Sequence, residues 1–98
     1  MPISFDPAKN AANIASRGIP FDLVEQLDWA TALIREDTRK AYGERRFQVL
    51  GFIGNRLHAV VFKPRDDKVH VISLRKANSR EVNRYAETST QAPQSGAN

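Results

Sequence analysis

Two turn signals separate three apolar runs in the middle of this chain, and together they leave few folds open. Gly54-Asn55 lies between runs at 45–53 and 57–62, and Asp66-Asp67 lies between the second run and a third at 68–76. All three runs are rich in Val, Ile, Leu and Phe, residues that suit a pleated, half-buried surface. Gly, Asn and Asp accept the positive φ angles that two-residue hairpin turns demand. The centre of the chain therefore reads as an antiparallel meander.

The flanks read as helical. Asp6 is a good N-cap, Pro7 suits the first helical position, and Gly18 can end the helix in a left-handed conformation. Between them Ala8, Ala11, Ala12, Ile14 and Ala15 form an apolar stripe at helical spacing. The preceding Ile3-Ser4-Phe5 reads as a short edge strand. Beyond Pro20, the residues Phe21, Val24, Leu27 and Asp28 predict a second, shorter helix; 29–34 lead into a strand, and 37–43 form a polar loop. Asn78 opens a final helix, with Glu81 three residues on as a capping box, running to about Glu87. Residues 88–98 carry no charged side chain and predict a disordered tail. The expected architecture is α+β: two N-terminal helices, an antiparallel meander of three to four strands and a C-terminal helix, with the helices against one curved sheet. The 98 residues fit one domain, spanning 1–87.

Charge narrows the function. The net charge is +4, but residues 1–42 carry five basic against six acidic side chains and residues 43–98 carry ten against five. A basic C-terminal half suits a polyanionic ligand or an acidic partner surface, the plain alternative being a solvated basic face. With no cysteine there is neither a disulfide framework nor thiolate chemistry, and a reducing cytoplasm is the simplest home. No apolar run approaches the ~20 residues of a membrane helix, and the first ten residues lack the order of a secretory signal.

Two-residue turns would also set a register. Ile53 then pairs with Arg56, so Gly51 faces His58; Arg65 pairs with Lys68, which sets His58 opposite Arg75. One sheet face would carry Arg45, Phe47, Val49, Gly51, His58, Val60, Phe62, Val71, Ser73 and Arg75. The other would carry Leu50, Phe52, Leu57, Ala59, Val61, Ile72 and Leu74, with Arg46, Lys63, His70 and Lys76 at its margins. The second face is the more apolar and is assigned to the helices. Gly51 leaves space beside His58, and an imidazole next to a guanidinium stays neutral and can accept a proton. A surface histidine pairing across strands is the bland alternative. His70, near a strand start, reads as surface decoration. Two histidines with no Asp or Glu at ligand spacing make no metal signature. Neither a phosphate-binding glycine loop nor a nucleophile elbow is present, and no cofactor is implied.

Several short blocks resemble a known family. These are Phe5-Asp6-Pro7-x-Lys9-x-x-x-Asn13 followed by Gly18-x-x-Phe21, then Gly43-Glu44-x-Arg46-Phe47 with Gly51, then Ile72-Ser73-x-Arg75-x-Ala77 with Glu81 and Tyr85. In this order, across roughly residues 3–87, they resemble the BrnT toxins of type II toxin–antitoxin systems. The chain departs at Ser16-Arg17-Gly18, where the family often has Lys-His-Gly; an arginine there binds phosphate but shuttles no proton. The resemblance implies a RelE-like fold and a metal-independent endoribonuclease that arrests growth. It also implies a BrnA-like antitoxin that covers the toxin, a toxin dimer within a heterotetramer, and contact with DNA only through the antitoxin.

Metal-free RNA cleavage needs a base for the 2′-hydroxyl, cations for the phosphorane and an acid for the leaving oxygen. Arg75 is the favoured transition-state stabiliser, with Arg45, Arg46, Lys63 and Arg80 as further phosphate-binding groups. His58 or Glu44 would serve as base, and Tyr85 as acid or stacking group. The alternative for Arg75 is a structural ion pair with Glu81 or Glu44. Lys9 and Asn13, one helical turn apart, would contact phosphate or pack their helix. Two other classes stay open: a nucleic-acid-binding module without catalysis, and a protein-interaction domain whose mixed sheet face binds an acidic helix.

Overall fold

The computed structural model describes residues 2–39, 41 and 43–97, with 89–97 described by their backbone alone. In chain order the elements are β1 (Ile3–Phe5), α1 (Pro7–Arg17), a 3-10 helix (Phe21–Gln26), a 3-10 turn (Trp29–Thr31), β2 (Leu33–Glu36), β3 (Phe47–Ile53), β4 (Arg56–Arg65), β5 (Lys68–Lys76) and α2 (Ser79–Ala97). The α+β expectation holds, but the sheet is larger than the meander: five strands in the order β1-β5-β4-β3-β2, with β1 parallel to β5. The helix trace continues to Ala97, past the boundary read near Glu87. The expected disordered tail falls mostly on 89–98, whose side chains lie outside the described residues.

Both hairpin turns form as expected. Ile53 pairs with Arg56 and Arg65 with Lys68. Asp66 and Asp67 adopt φ of 52° and 63°, as a type I′ turn requires of both central residues.

The register between β4 and β5 does not run straight. Val61 pairs with Ser73 but Phe62 pairs with Val71, so Ile72 is an extra residue on β5. Such a bulge shifts everything beyond it by one position and moves each side chain to the opposite face. His58 therefore faces Lys76, and Arg75 faces Ala59. The expected His58–Arg75 pair is not formed; the two residues lie on opposite faces.

Both faces are covered, not one. On the first, Val49, Val60, Val71 and Leu74 pack with Ile19, Phe21, Val24 and Leu27. The expected second helix is a 3-10 helix, whose three-residue turn stacks positions three apart. Phe21, Val24 and Leu27 have that spacing, and all three are buried. Leu27 occupies the space above Gly51, where a Cβ would lie 3.0 Å from its Cδ2, so the gap foreseen beside His58 is filled. On the second face, Leu50, Leu57, Ala59 and Ala77 form a smaller cluster with Leu33, Phe52 and Tyr85.

Helix α1 starts and stops where its caps predict: the Asp6 carboxylate accepts from the Ala8 N–H, and Gly18 takes φ 72°. Its alanine stripe, however, does not face the core. The inward face is polar. Asn13, buried, donates to the carbonyls of Ile19 and Leu74 at 2.9 and 3.0 Å. Asn10 accepts from the Phe21 N–H at 2.8 Å. Arg17 donates to Asn13 and to the Leu74 carbonyl. Two carbonyls and one amide of neighbouring segments find their partners here, and asparagines supply them where alanines cannot.

Candidate functional site

The second sheet face changes character along its length. At one end Tyr85 of α2 packs against the Leu50–Leu57–Ala59 cluster; beyond Val61 the same face carries Lys63 on β4 and, directly opposite, His70 on β5. Here the structure has a cavity of about 470 Å³, lined by Asp6, Lys9, Arg46, Lys63, Arg65 and His70 together with Phe5, Pro7, Val71 and Ile72. Four cationic side chains thus converge on one opening with a single carboxylate among its lining residues. The α1 cap brings Lys9 and Asp6 to the rim, and the β4–β5 hairpin supplies Lys63, Arg65 and His70.

Glu44 stands beside this cavity as a clamp. Its carboxylate receives Lys63 Nζ at 3.1 Å and Arg46 Nε at 3.2 Å. The Lys63 contact, followed by that of Arg46, holds its pKa below the ordinary carboxylate value. A carboxylate so stabilised is a weak base, and its geometry is that of an organiser of two cations.

His70 is half-buried and its Nδ1 lies 2.9 Å from Ser4 Oγ. Its pKa is lowered, first by burial and then by Arg65 and Lys63, with Lys9 adding to the effect and Asp6 opposing it. A neutral imidazole amid cations is the consequence.

The other candidates are placed elsewhere. Arg75 donates to both oxygens of Glu81 at 2.7 and 2.8 Å, which is the structural ion pair that stood as its alternative. Glu81 is buried, closes the capping box with Asn78, and has its pKa lowered to about 2, chiefly by Arg75. His58 is buried on the opposite sheet face, and its Nδ1–H donates to the Arg56 carbonyl at 2.9 Å. The Tyr85 hydroxyl donates to the Thr31 carbonyl at 2.9 Å, with its ring edge-on to Phe52. Arg45 makes a two-point contact with Glu36 and lies over the Phe47 ring. Arg80 is exposed on the first turn of α2.

Of the residues singled out from sequence, the fold gathers Lys9, Arg46 and Lys63 at one cavity, with Glu44 adjoining. Sequence reasoning passed over Arg65 and set His70 aside. The signal was present: an Asp66-Asp67 turn that pairs Arg65 with Lys68 also pairs Lys63 with His70. Ser4 had no such signal, because its partner is 66 residues away. Among the described residues, no three of His, Cys, Asp and Glu come together as a metal site, and no helix is long and apolar enough to cross a membrane.

Fold and cavity together define a small α+β domain that gathers cations at one end of a mixed sheet. The family model described as "Ribonuclease toxin, BrnT, of type II toxin-antitoxin system" matches residues 5–81. The chain belongs to this family of ribonuclease toxins, for which an antitoxin partner and an RNA substrate follow. A comparison with curated proteins gave no match.

Proposed function

We propose that the chain is a metal-independent endoribonuclease that seats an RNA phosphate in the cavity between α1 and the β4–β5 hairpin. It would arrest growth in the cytoplasm until a BrnA-like antitoxin covers it, on a cradle of RelE type. The convergence of Lys9, Arg46, Lys63 and Arg65 on one opening carries this reading. Cleavage through the 2′-hydroxyl builds negative charge on a crowded phosphorane, and preorganised cations are what stabilise it. Glu44 keeps Arg46 and Lys63 aimed together when no substrate is bound. Arg75 acts in this reading through Glu81, fixing the start of α2, while Tyr85 ties the same helix to the Trp29–Thr31 turn.

Tightly induced expression tests it, with wild type set against a Lys63→Ala/Arg65→Ala double variant. Arrest with fragmented RNA is expected for the wild type and relief for the variant, with both proteins folded. Purified wild type should cut RNA in the presence of a chelator and leave 2′,3′-cyclic phosphate and 5′-hydroxyl ends. Normal growth and intact RNA with folded wild type present would overturn the proposal.

A further inference from the structure

We infer that His70, oriented by Ser4, is the group that takes the 2′-hydroxyl proton in this cavity, an assignment that rests on the ribonuclease reading. The geometry comes from two elements far apart in sequence. Ser4 on β1 is the register partner of His70 on β5, and the hydroxyl and Nδ1 are 2.9 Å apart. With Nδ1–H donating to Ser4 Oγ, the lone pair stays on Nε2, where it can accept a proton. Lys63 lies directly across the strand pair, so a phosphate held by that ammonium sits next to the imidazole.

The other acid–base candidates are held by partners of their own. The His58 ring is buried on the opposite face, the Glu44 carboxylate is held by Lys63 and Arg46, and the Tyr85 hydroxyl is bound to a backbone carbonyl.

The charged groups around His70 are Lys63 and Arg65 on β4, Lys9 on α1, and Asp6, the cap of that helix. Burial and the three cations, against the opposing pull of Asp6, keep the imidazole neutral at neutral pH, ready to act as base, and make the imidazolium quick to release its proton. The step balances without any further reagent than water. Nε2 takes the 2′-hydroxyl proton as the 2′-oxygen forms its bond to phosphorus. The bond from phosphorus to the 5′-oxygen breaks, and that oxygen leaves with the electron pair and takes a proton from water. His70 then returns its proton to solvent, leaving a 2′,3′-cyclic phosphate and a 5′-hydroxyl.

The test uses purified full-length protein with an RNA oligonucleotide, and its 2′-deoxy analogue as a non-cleavable binding probe. His70→Gln should lower kcat at least about 100-fold while binding the probe as the wild type does. Ser4→Ala should lower kcat roughly tenfold with little change in KM. The wild-type kcat should fall on the acid side along a limb below the ordinary histidine value of about 6.5. Arg65→Ala should move that limb upward, a shift that a purely structural role for His70 would not produce. Cleavage by His70→Gln at the wild-type rate overturns this assignment and leaves the ribonuclease reading intact. If that variant does not fold, a wild-type profile with no acid limb overturns the assignment instead. Wild type that cuts no RNA overturns both.

Discussion

The Arg75 guanidinium holds both oxygens of the Glu81 carboxylate, at 2.7 and 2.8 Å, across the junction between the last strand and the last helix. The same carboxylate accepts from the Asn78 N–H at 2.9 Å, so one buried acid joins β5 to the first turn of α2. Arg75→Ala leaves that acid with one partner fewer and should cost about 1–3 kcal/mol of folding stability. Thermal or urea unfolding measures it. If Arg75→Ala instead abolishes RNA cleavage at unchanged stability, Arg75 belongs to the phosphate site and not to the helix junction.

Glu81 also sets an acid limit on stability. Its folded pKa, about 2, lies below the ordinary glutamate value of about 4.3. A depressed carboxylate contributes stability that is complete above its unfolded pKa and is lost as pH falls through the folded one. Unfolding free energy should therefore decline between about pH 4 and pH 2, and Glu81→Gln should flatten that part of the curve. A profile that Glu81→Gln leaves unchanged would show that this pair is not what acid breaks.

Asn13 bridges α1 to the sheet through two carbonyls, those of Ile19 and Leu74. Asn13→Leu would keep much of the volume but leave both acceptors without this donor in a buried place. A loss of about 1–3 kcal/mol is expected, with faster amide exchange along α1. Ala12→Ser, on the exposed side of the same helix, should change stability by less than about 0.5 kcal/mol.

Gly51 reports on packing from the other side. An added Cβ would meet Leu27 Cδ2 at 3.0 Å and Ala32 Cβ at 3.3 Å. Leu27 is itself buried and can give only slightly. Gly51→Ala should thus destabilise by about 1–3 kcal/mol through overpacking, seen as a lower midpoint in urea at unchanged slope.

Cations acting on phosphate should reveal themselves by salt. Binding of a 2′-deoxy RNA analogue should weaken steeply as salt rises, because each neutralised phosphate releases counterions. Replacing Lys63 or Arg65 by Ala should reduce the slope of log K against log salt by about 0.7 to 1 each, measured by fluorescence anisotropy. Arg80→Ala, on the exposed turn of α2, should leave the slope as it is.

Much of the fold was legible because it is encoded within a few residues. The Asp6 and Gly18 caps, the two hairpin turns and the Asn78–Glu81 capping box all rest on contacts between near neighbours, and each forms as read. Lys9, Arg46 and Lys63 were picked out as phosphate groups from charge and chemistry, and they do share a cavity. The polar docking of α1 was not legible, since alanines at helical spacing look apolar whether or not a core lies beneath them. The His58–Arg75 pairing failed on one residue, because a bulge at Ile72 leaves no local mark in a run of β-branched residues.

The sequence by itself determined where the chain turns, where its helices begin, the hairpin register up to the bulge, and which half carries the positive charge. Those depend on backbone φ preferences, capping hydrogen bonds and composition, all short-range. Only the tertiary structure decided that β1 lies parallel to β5, that His58 and Arg75 occupy opposite faces, and that Ser4 meets His70 beside Lys63 and Arg65. These relations join segments up to 66 residues apart. They are settled by which arrangement buries the most apolar surface while leaving the fewest polar groups without a partner, a condition on the whole chain that no window of sequence contains.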